Sequence, residues 1–474
     1  MRRFALAVQV LDKLLIANLS LQSEEGFVIT HLRLQTTINM TVERFRLKVC
    51  VTTAITRLQL RKETHQSANT SATRILRICV EPLLAAAKRF KGRGHLQTET
   101  IFSDDVMKAL EPRFIAASER IVGAINSSRP ILLRYNNDAD GICGGIALYR
   151  AITKLLTGRG ATKEEMHQFF REFQNNSAVY ELGYASGDIL LLRGISDLRP
   201  LILLVDFGAN AESVEGLKTA RDEGAEIIVI DHHPYSAKAL EFIDVFVSPW
   251  AVEGGSSHYT AGMLAGEVAK RIARVDVEEL QRIALIGDKS ILQQPEEQLK
   301  KKALVLDYLA DSVKPRNTLS KCETILADAV QLDDAYRQAV QKLTEAVESV
   351  KKDVKTRELE NGFVIAIADL NKRLENGVFP PKGKVVGALH DELAAKETRP
   401  LVTLGKGQDA ITFRANAAAK AAGFNASHII DEIKNEIPNA ITSGGGHDVA
   451  ASMRLSKGFR GIVLEEVVKK IAAI

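Results

Sequence analysis

The sequence predicts an α/β protein in two lobes: one built on a parallel sheet, a helical connector, and a smaller α/β lobe, with a basic N-terminal region ahead of them. Three observations carry this expectation. Apolar runs recur between residues 130 and 231, and each ends in acidic residues. Residues 295–360 are charged and helical in pattern, and strand-like apolar runs return from Phe363 onward. Continuous apolar runs mark strands covered on both faces, as in parallel sheets. At 474 residues the chain exceeds one ordinary core, so several domains are expected.

Residues 1–95 make up the basic region. The first 100 residues carry 16 Lys and Arg against 7 Asp and Glu, a balance of +9, while the remainder carries 47 against 52. This asymmetry suggests a polyanion partner, with a solvated basic surface as the alternative. Phe45, Leu47, Val49 and Val51 alternate with Arg46 and Lys48, the pattern of a half-buried strand with a cationic outer face. Several such strands would suit a small β-barrel of the kind that binds nucleic acid. The opening MRRFALAVQVLDKLLIANL is broken by Gln9, Asp12 and Lys13, so an amphipathic helix is expected rather than a signal peptide. No run is long enough to span a bilayer. The four cysteines form no CxxC pair, which fits a reducing cytoplasm. A cytoplasmic protein with no membrane association is expected. Aromatic residues are few, with a single Trp250, so base-stacking platforms cannot be numerous.

The first lobe is expected over 100–292. Ser103 is placed to cap a helix beginning DDVMKALEPRF. Ile131–Arg134 reads as a buried strand with Asp138 and Asp140 at its tip, followed by a glycine turn and a helix over Ile146–Leu156. A helix over 163–173 is capped by Thr162. Leu201–Val205 is a central strand with Asp206 at its tip, and a helix follows around 211–223. Ile227–Ile230 is a further strand, ending in Asp231-His232-His233. Val245–Val247 is a short strand, and a Gly/Ser loop, EGGSSHYTAG, leads into a helix that Thr260 would cap. Val277–Ile286 is helical and runs into Asp288. The connector covers 293–360, with 332–355 its longest amphipathic segment. The last lobe, 361–474, holds strands at Phe363–Ala368, Leu401–Leu404 and Ile411–Arg414, then a glycine cluster, Gly444-Gly445-Gly446-His447, before a strand and a final helix.

Three strands ending in DAD, D and DHH are most simply one wall of one site. Asp138 and Asp140 would point the same way on an extended tip, and two such carboxylates repel unless a cation lies between them. A lone DADG reads equally well as a polar turn with Asp as helix cap. Asp138, Asp140, Asp206, His232 and Asp288 together are a donor set that suits Mn or Mg better than zinc. Two metals about 3.5–4 Å apart would share one carboxylate, for which Asp206 on the central strand is the choice, and would clamp a phosphoester. His233 diverges from His232, so it is freer to hold a phosphate oxygen or protonate a leaving group, with Asp231 orienting an imidazole. A glycine cluster such as 444–446 can form an anion-binding nest, or simply a turn.

DADG, VDFG, DHH and GDKS, in this order and spacing, resemble the four motifs of the DHH phosphoesterase superfamily. The last lobe, with ITFRAN and SGGGH, resembles its DHHA1 substrate-binding domain. The arrangement is similar to archaeal RecJ-like single-strand exonucleases. The resemblance covers roughly residues 130–474. It implies two Mn2+ ions, with Mg2+ the alternative, held by the motif aspartates and His232. It also implies a cleft between lobes where Arg414 and the Gly444–His447 loop grip a phosphate or a terminal nucleotide. One departure stands out. The family commonly places a His shortly before the first aspartate, as a metal ligand; here Asn136 takes the equivalent place, an uncharged and weaker ligand. Either one metal position is weakened or the site is degenerating, and the intact DHH and aspartates favour the former.

The expected function is therefore a Mn-dependent exonuclease on single-stranded DNA or RNA, with the basic region gripping the strand and replication or repair proteins as candidate partners. An oligoribonuclease or (cyclic di)nucleotide phosphodiesterase would need only the two-lobed cleft. A non-catalytic replication-fork scaffold, like the inactive superfamily member of the eukaryotic replicative helicase, gains from Asn136 and loses from the retained motifs.

Overall fold

The structure is a computed structural model that describes residues 100–312, 318–375 and 377–474. The amphipathic helix and β-barrel expected within 1–95 lie outside these residues.

Helix α1 (Asp105–Asn126) is capped by Asp104 rather than Ser103, the carboxylate accepting from Met107 N at 2.8 Å. Strand β1 (Ile131–Asn136) runs almost at once into α2 (Ala139–Thr157), which starts at Ala139 and not at Ile146. Asp138 causes the early start, its side chain capping the helix through Gly141 N at 2.9 Å. A Cβ on Gly141 would sit 2.6 Å from the Asn136 carbonyl oxygen, so only glycine lets the helix begin directly under the strand end.

Helix α3 (Lys163–Phe169) carries a reciprocal capping box between Thr162 and Glu165. The helix expected to continue to 173 stops there. Residues Phe170–Asn175 form β2, paired in parallel with β1. Pairing with a neighbouring strand overrides the helical propensity of KEEMHQFFREF. Helix α4 (Leu182–Arg193) has no counterpart in the sequence expectation. After it come β3 (Leu201–Val205), α5 (Val214–Asp222), β4 (Glu226–Ile230), α6 (Ala237–Leu240), β5 (Val245–Val247), α7 (Ala261–Ile272) and α8 (Glu278–Gly287).

The first sheet has the order β2-β1-β3-β4-β5, all parallel. The chain goes outward from β1 to β2 and then crosses to β3 on the other side. Strand order therefore reverses between β1 and β3, and the crevice beyond the carboxyl ends of those strands is the ligand-binding position of open α/β sheets. Both faces are covered, as the apolar runs predict. Leu133, Leu203 and Ile228 pack on the face of α2 and α7, and Leu132, Ile202 and Ile227 on the face of α4 and α5.

The connector comprises α9 (Glu297–Ser312), α10 (Leu319–Ala327) and α11 (Ala329–Lys351). Strand β6 (Lys355–Glu358) already pairs with β7 (Val364–Asp369), so the second sheet begins before Phe363. Then follow α12 (Lys382–Ala394), β8 (Leu401–Lys406), β9 (Ala410–Ala415), α13 (Ala417–Ala421), α14 (Ala426–Glu436), β10 (Ile441–His447), β11 (Ala450–Leu455) and α15 (Arg460–Ala472). This sheet has the order β10-β11-β9-β8-β7-β6, with only β7 and β8 parallel. The expected fold class, a parallel-sheet lobe and a second α/β lobe joined by helices, is borne out. Among the described residues no helix is long and apolar enough to cross a membrane.

Candidate metal centre at the sheet switch point

The carboxyl ends of β1, β3 and β4 and the end of α8 gather Asp140, Asp206, His232 and Asp288 around the His232 ring, where the possible metal ligands form two groups that share His232: Asp140, His232 and Asp288, and Asp206, His232 and His233. The His232 Nε2 atom lies 3.1 Å from Asp288 Oδ2, 3.3 Å from Asp206 Oδ1 and 3.7 Å from Asp140 Oδ2. Its Nδ1 donates to the Ser257 carbonyl at 2.6 Å. A carbonyl only accepts, so this bond puts a proton on Nδ1 and aims Nε2 at the three carboxylates. Asp140 and His232 are fully buried and Asp206 is 1% exposed. Among the described residues neither His232 Nε2 nor Asp206 Oδ1 finds a well-aligned hydrogen bond. Buried carboxylates meeting on one imidazole nitrogen need a cation there, and this oxygen-rich set with one nitrogen fits a divalent ion of the Mn or Mg kind.

The elements explain the positions. Asp206 directly follows β3 with φ +68°, a left-handed conformation that Asp tolerates better than most side chains, at a cost on the order of 1 kcal/mol. That turn aims its carboxylate into the centre. Asp138 and Asp140 do not lie on an extended tip, as expected, because the helix starts between them. Asp138 is the extended cap residue, with φ −136°, and Asp140 sits in the first helical turn. Both Asp140 oxygens accept backbone amides at 2.9 Å, from Ala261 and Gly262. Asp140 thus caps α7, where Thr260 was the expected cap and makes no side-chain cap bond. An anionic side chain at a helix N-terminus is favourable, which helps hold this buried carboxylate in place.

Asn136 and Asp138 stand slightly apart from that group. The Asn136 amide Nδ2 donates to Asp138 Oδ2 at 2.7 Å and to Asp206 Oδ2 at 3.0 Å. His233 is held by Asp231, whose Oδ1 lies 2.8 Å from His233 Nδ1 and also accepts the His233 amide at 3.1 Å. His233 Nδ1 is 3.7 Å from Asp206 Oδ1, and its side chain is 40% exposed, so it forms the open edge of the group it makes with Asp206 and His232. Trp250 Nε1 donates to the His232 carbonyl at 2.8 Å and pins the turn.

Burial pushes the Asp138 carboxyl up to about 6 and the Asp140 carboxyl up to about 7, with the Asp288 charge adding to both. Burial also raises Asp206 well above the carboxylate range, helped by Asp138 and Asp140. Burial opposes charge on His232, but Asp206 and Asp288 beside it hold its pKa well above 6.5. The metal-free centre therefore carries protons that an ion must displace. Mn2+ affinity is expected to rise between pH 5.5 and 7.5, by about tenfold per pH unit for each proton displaced. Calorimetry in two buffers of different ionisation heat would register the released protons. An affinity flat across that range contradicts the assignment.

The second lobe contributes one arginine and a histidine whose pKa burial and the His232 charge lower. Arg414 on β9, Ala450 on β11 and His447 on β10 are in register across three strands, so their side chains share one face. Arg414 donates to the carbonyls of Phe413 at 2.8 Å and Gly383 at 3.4 Å, and burial lowers its pKa. His447 Nδ1 lies 3.0 Å from Ser257 Oγ. Ser257 thereby touches the hairpin through its hydroxyl and His232 through its carbonyl. The expected nest at Gly444–Gly446 is corrected. These residues are extended in β10, where successive amides point to opposite edges and make no concave cluster. Gly446 has φ +137°, and a Cβ there would lie 2.6 Å from the Ala450 carbonyl oxygen, so glycine serves the close hairpin instead.

Two positioning groups escape a sequence reading. Ser257 lies in a loop whose only signal is composition. Asp307, 5% exposed on α9, accepts from Ala139 N at 3.0 Å, between the two motif aspartates, and pairs with Lys384 of the second lobe.

Comparison with known proteins agrees with this fold. Residues 130–287 match the family described as DHH family, N-terminal domain. The chain is 29% identical over 422 residues to uncharacterized protein MJ1198 of Methanocaldococcus jannaschii, covering 78% of this chain and 55% of that protein. The chain thus spans about half the length of that curated relative. A solved DHH domain, described as from PF0399, a member of the s1p family of ribosomal proteins, superposes with a TM-score of 0.74 at 28% identity, over 83% of this chain and 99% of its own. RecJ of Thermus thermophilus, solved in complex with Mn2+, shares the fold with a TM-score of 0.52 at 18% identity, over 76% of this chain and 55% of its own. Residues 130–287, which carry the three strand-tip motifs and run to the helix end beside Asp288, are thus similar to the N-terminal domain of the DHH family.

Proposed function

We propose that the protein is a metal-dependent phosphodiester hydrolase that acts as an exonuclease on single-stranded DNA or RNA. The observation that carries this reading is the convergence of Asp140, Asp206 and Asp288 on His232 Nε2, facing a lobe that presents Arg414 and His447. Mn2+ or Mg2+ held at His232 among those residues would supply positive charge against a phosphoryl oxygen and acidify a water. Arg414, whose hydrogen bonds go to carbonyls, has a guanidinium suited to a phosphate, and His447 stands on the same face. His233, oriented by Asp231 through Nδ1, has Nε2 as the nitrogen for proton transfer to the leaving oxygen. Asp231 is held below the usual carboxylate range, burial being outweighed by the His233 charge, so it stays ionised while doing this.

The test is the purified 474-residue chain with Mn2+ and labelled single strands, dinucleotides and a cyclic dinucleotide. Stepwise loss of nucleotides from a strand end is expected. Intact strands with consumed dinucleotides would select a short-substrate phosphodiesterase, and no cleavage of anything would overturn the enzyme reading.

The basic residues 1–95 are proposed to grip the strand. Their deletion is expected to weaken binding and to flatten the decline of affinity with salt, as measured by fluorescence anisotropy from about 50 to 200 mM salt. An unchanged affinity would show that the grip lies elsewhere.

A further inference from the structure

The amide of Asn136 has two protons, and both are used: one on Asp138 Oδ2, the other on Asp206 Oδ2. The other Asp206 oxygen, Oδ1, points instead to His232 Nε2, where Asp140 and Asp288 also converge. The centre is thus divided along the Asp206 carboxylate. On one side a buried acceptor and an imidazole nitrogen lack aligned hydrogen bonds among the described residues. On the other side two acceptors are already bridged by a neutral donor.

We propose, on the metal-hydrolase reading above, that the centre loads asymmetrically. One divalent ion is held by Asp140, His232 and Asp288, with Asp206 Oδ1 at its edge. The place between Asp138 and Asp206 is kept by the Asn136 amide and takes an ion only together with the oxygens of a bound phosphate. The reasons are chemical. For an ion to enter there, the amide must rotate and offer Oδ1, giving up two hydrogen bonds to carboxylates. In exchange it supplies a neutral oxygen with no charge. Asp138 is also engaged, since its Oδ1 caps α2 through Gly141 N. A phosphate brings anionic oxygens that replace what Asn136 lacks. Metal occupancy would then report substrate occupancy, and the fully loaded centre would exist only with a strand in place.

The experiment counts Mn2+ on the metal-stripped 474-residue chain by electron paramagnetic resonance and equilibrium dialysis. One ion per chain is expected in the tight phase, with the second weaker by about 100-fold or more, the upper end of the cost of losing even an outer hydrogen-bond partner. A single strand of non-hydrolysable phosphorothioate should raise the count to two and add magnetic coupling between the ions. Asn136→His should bind two ions with no strand present, and Asn136→Asp should do the same. Thermal melting checks that both variants fold, and if neither does, the wild-type count still decides. Two tight ions on the wild type without a strand, folded variants that still bind one, or a wild-type chain that binds none, would overturn the proposal. If inorganic phosphate recruits the second ion and the strand does not, the asymmetric centre stands and the nucleic-acid reading falls.

Discussion

Asp206→Asn is expected to lower Mn-dependent strand cleavage by about 10³-fold or more, beyond the 10–100-fold that losing an outer partner costs. Asp206 is the residue on which both halves of the centre depend. Its Oδ1 faces His232 Nε2 at 3.3 Å, and its Oδ2 accepts the Asn136 amide at 3.0 Å. Asparagine keeps the size and loses the charge. The same change should raise thermal stability in EDTA at pH 8, because a carboxyl that burial and two neighbouring carboxylates push well above its ordinary range is destabilising when ionised. Melting and activity would therefore move in opposite directions. A variant that loses activity only because it unfolds contradicts this, as does one that cleaves at the wild-type rate.

Arg414→Ala is expected to raise KM for a single strand by about 10²-fold, with a smaller fall in kcat. Charge-assisted hydrogen bonds to a phosphate contribute roughly 1.5–3 kcal/mol each, and a guanidinium can make two. Among the described residues the side chain makes no ion pair: its hydrogen bonds are to two carbonyls, and Asp391, the carboxylate whose charge it feels, pairs with Lys289. Steady-state kinetics on strands of fixed length, with melting as a control, separate binding from chemistry. An unchanged KM would remove Arg414 from the cleft.

Much of the centre is legible in the sequence because its chemistry sits at strand ends. A buried parallel strand is a continuous apolar run, and the residue after it is placed at the carboxyl edge of the sheet whatever the details of the turn. That is why Asp206 and His232 can be read from LILLVD and IIVIDHH. What fails is whatever depends on partners distant in sequence. Strand β2 is written in helix-forming residues and becomes a strand because β1 lies beside it. The cap of α7 is Asp140, more than a hundred residues away, so no local pattern at Thr260 could reveal it. The buried ion pair of Arg134 with Asp188, with Tyr180 bonded to the same carboxylate, joins β1 to α4 and also lacks a local signature. The Gly444–Gly446 run illustrates the opposite error. Glycines suit both a nest and a tight hairpin, and the pairing of β10 with β11 decides for the hairpin.

The most direct test of the metal centre is the anomalous scattering of a crystal soaked in Mn2+ and measured at the manganese edge. A peak is expected in contact with Asp140, His232 and Asp288, beside Asp206. Ordered Mn2+ elsewhere, with these four residues bearing none at saturating concentration, would contradict the account.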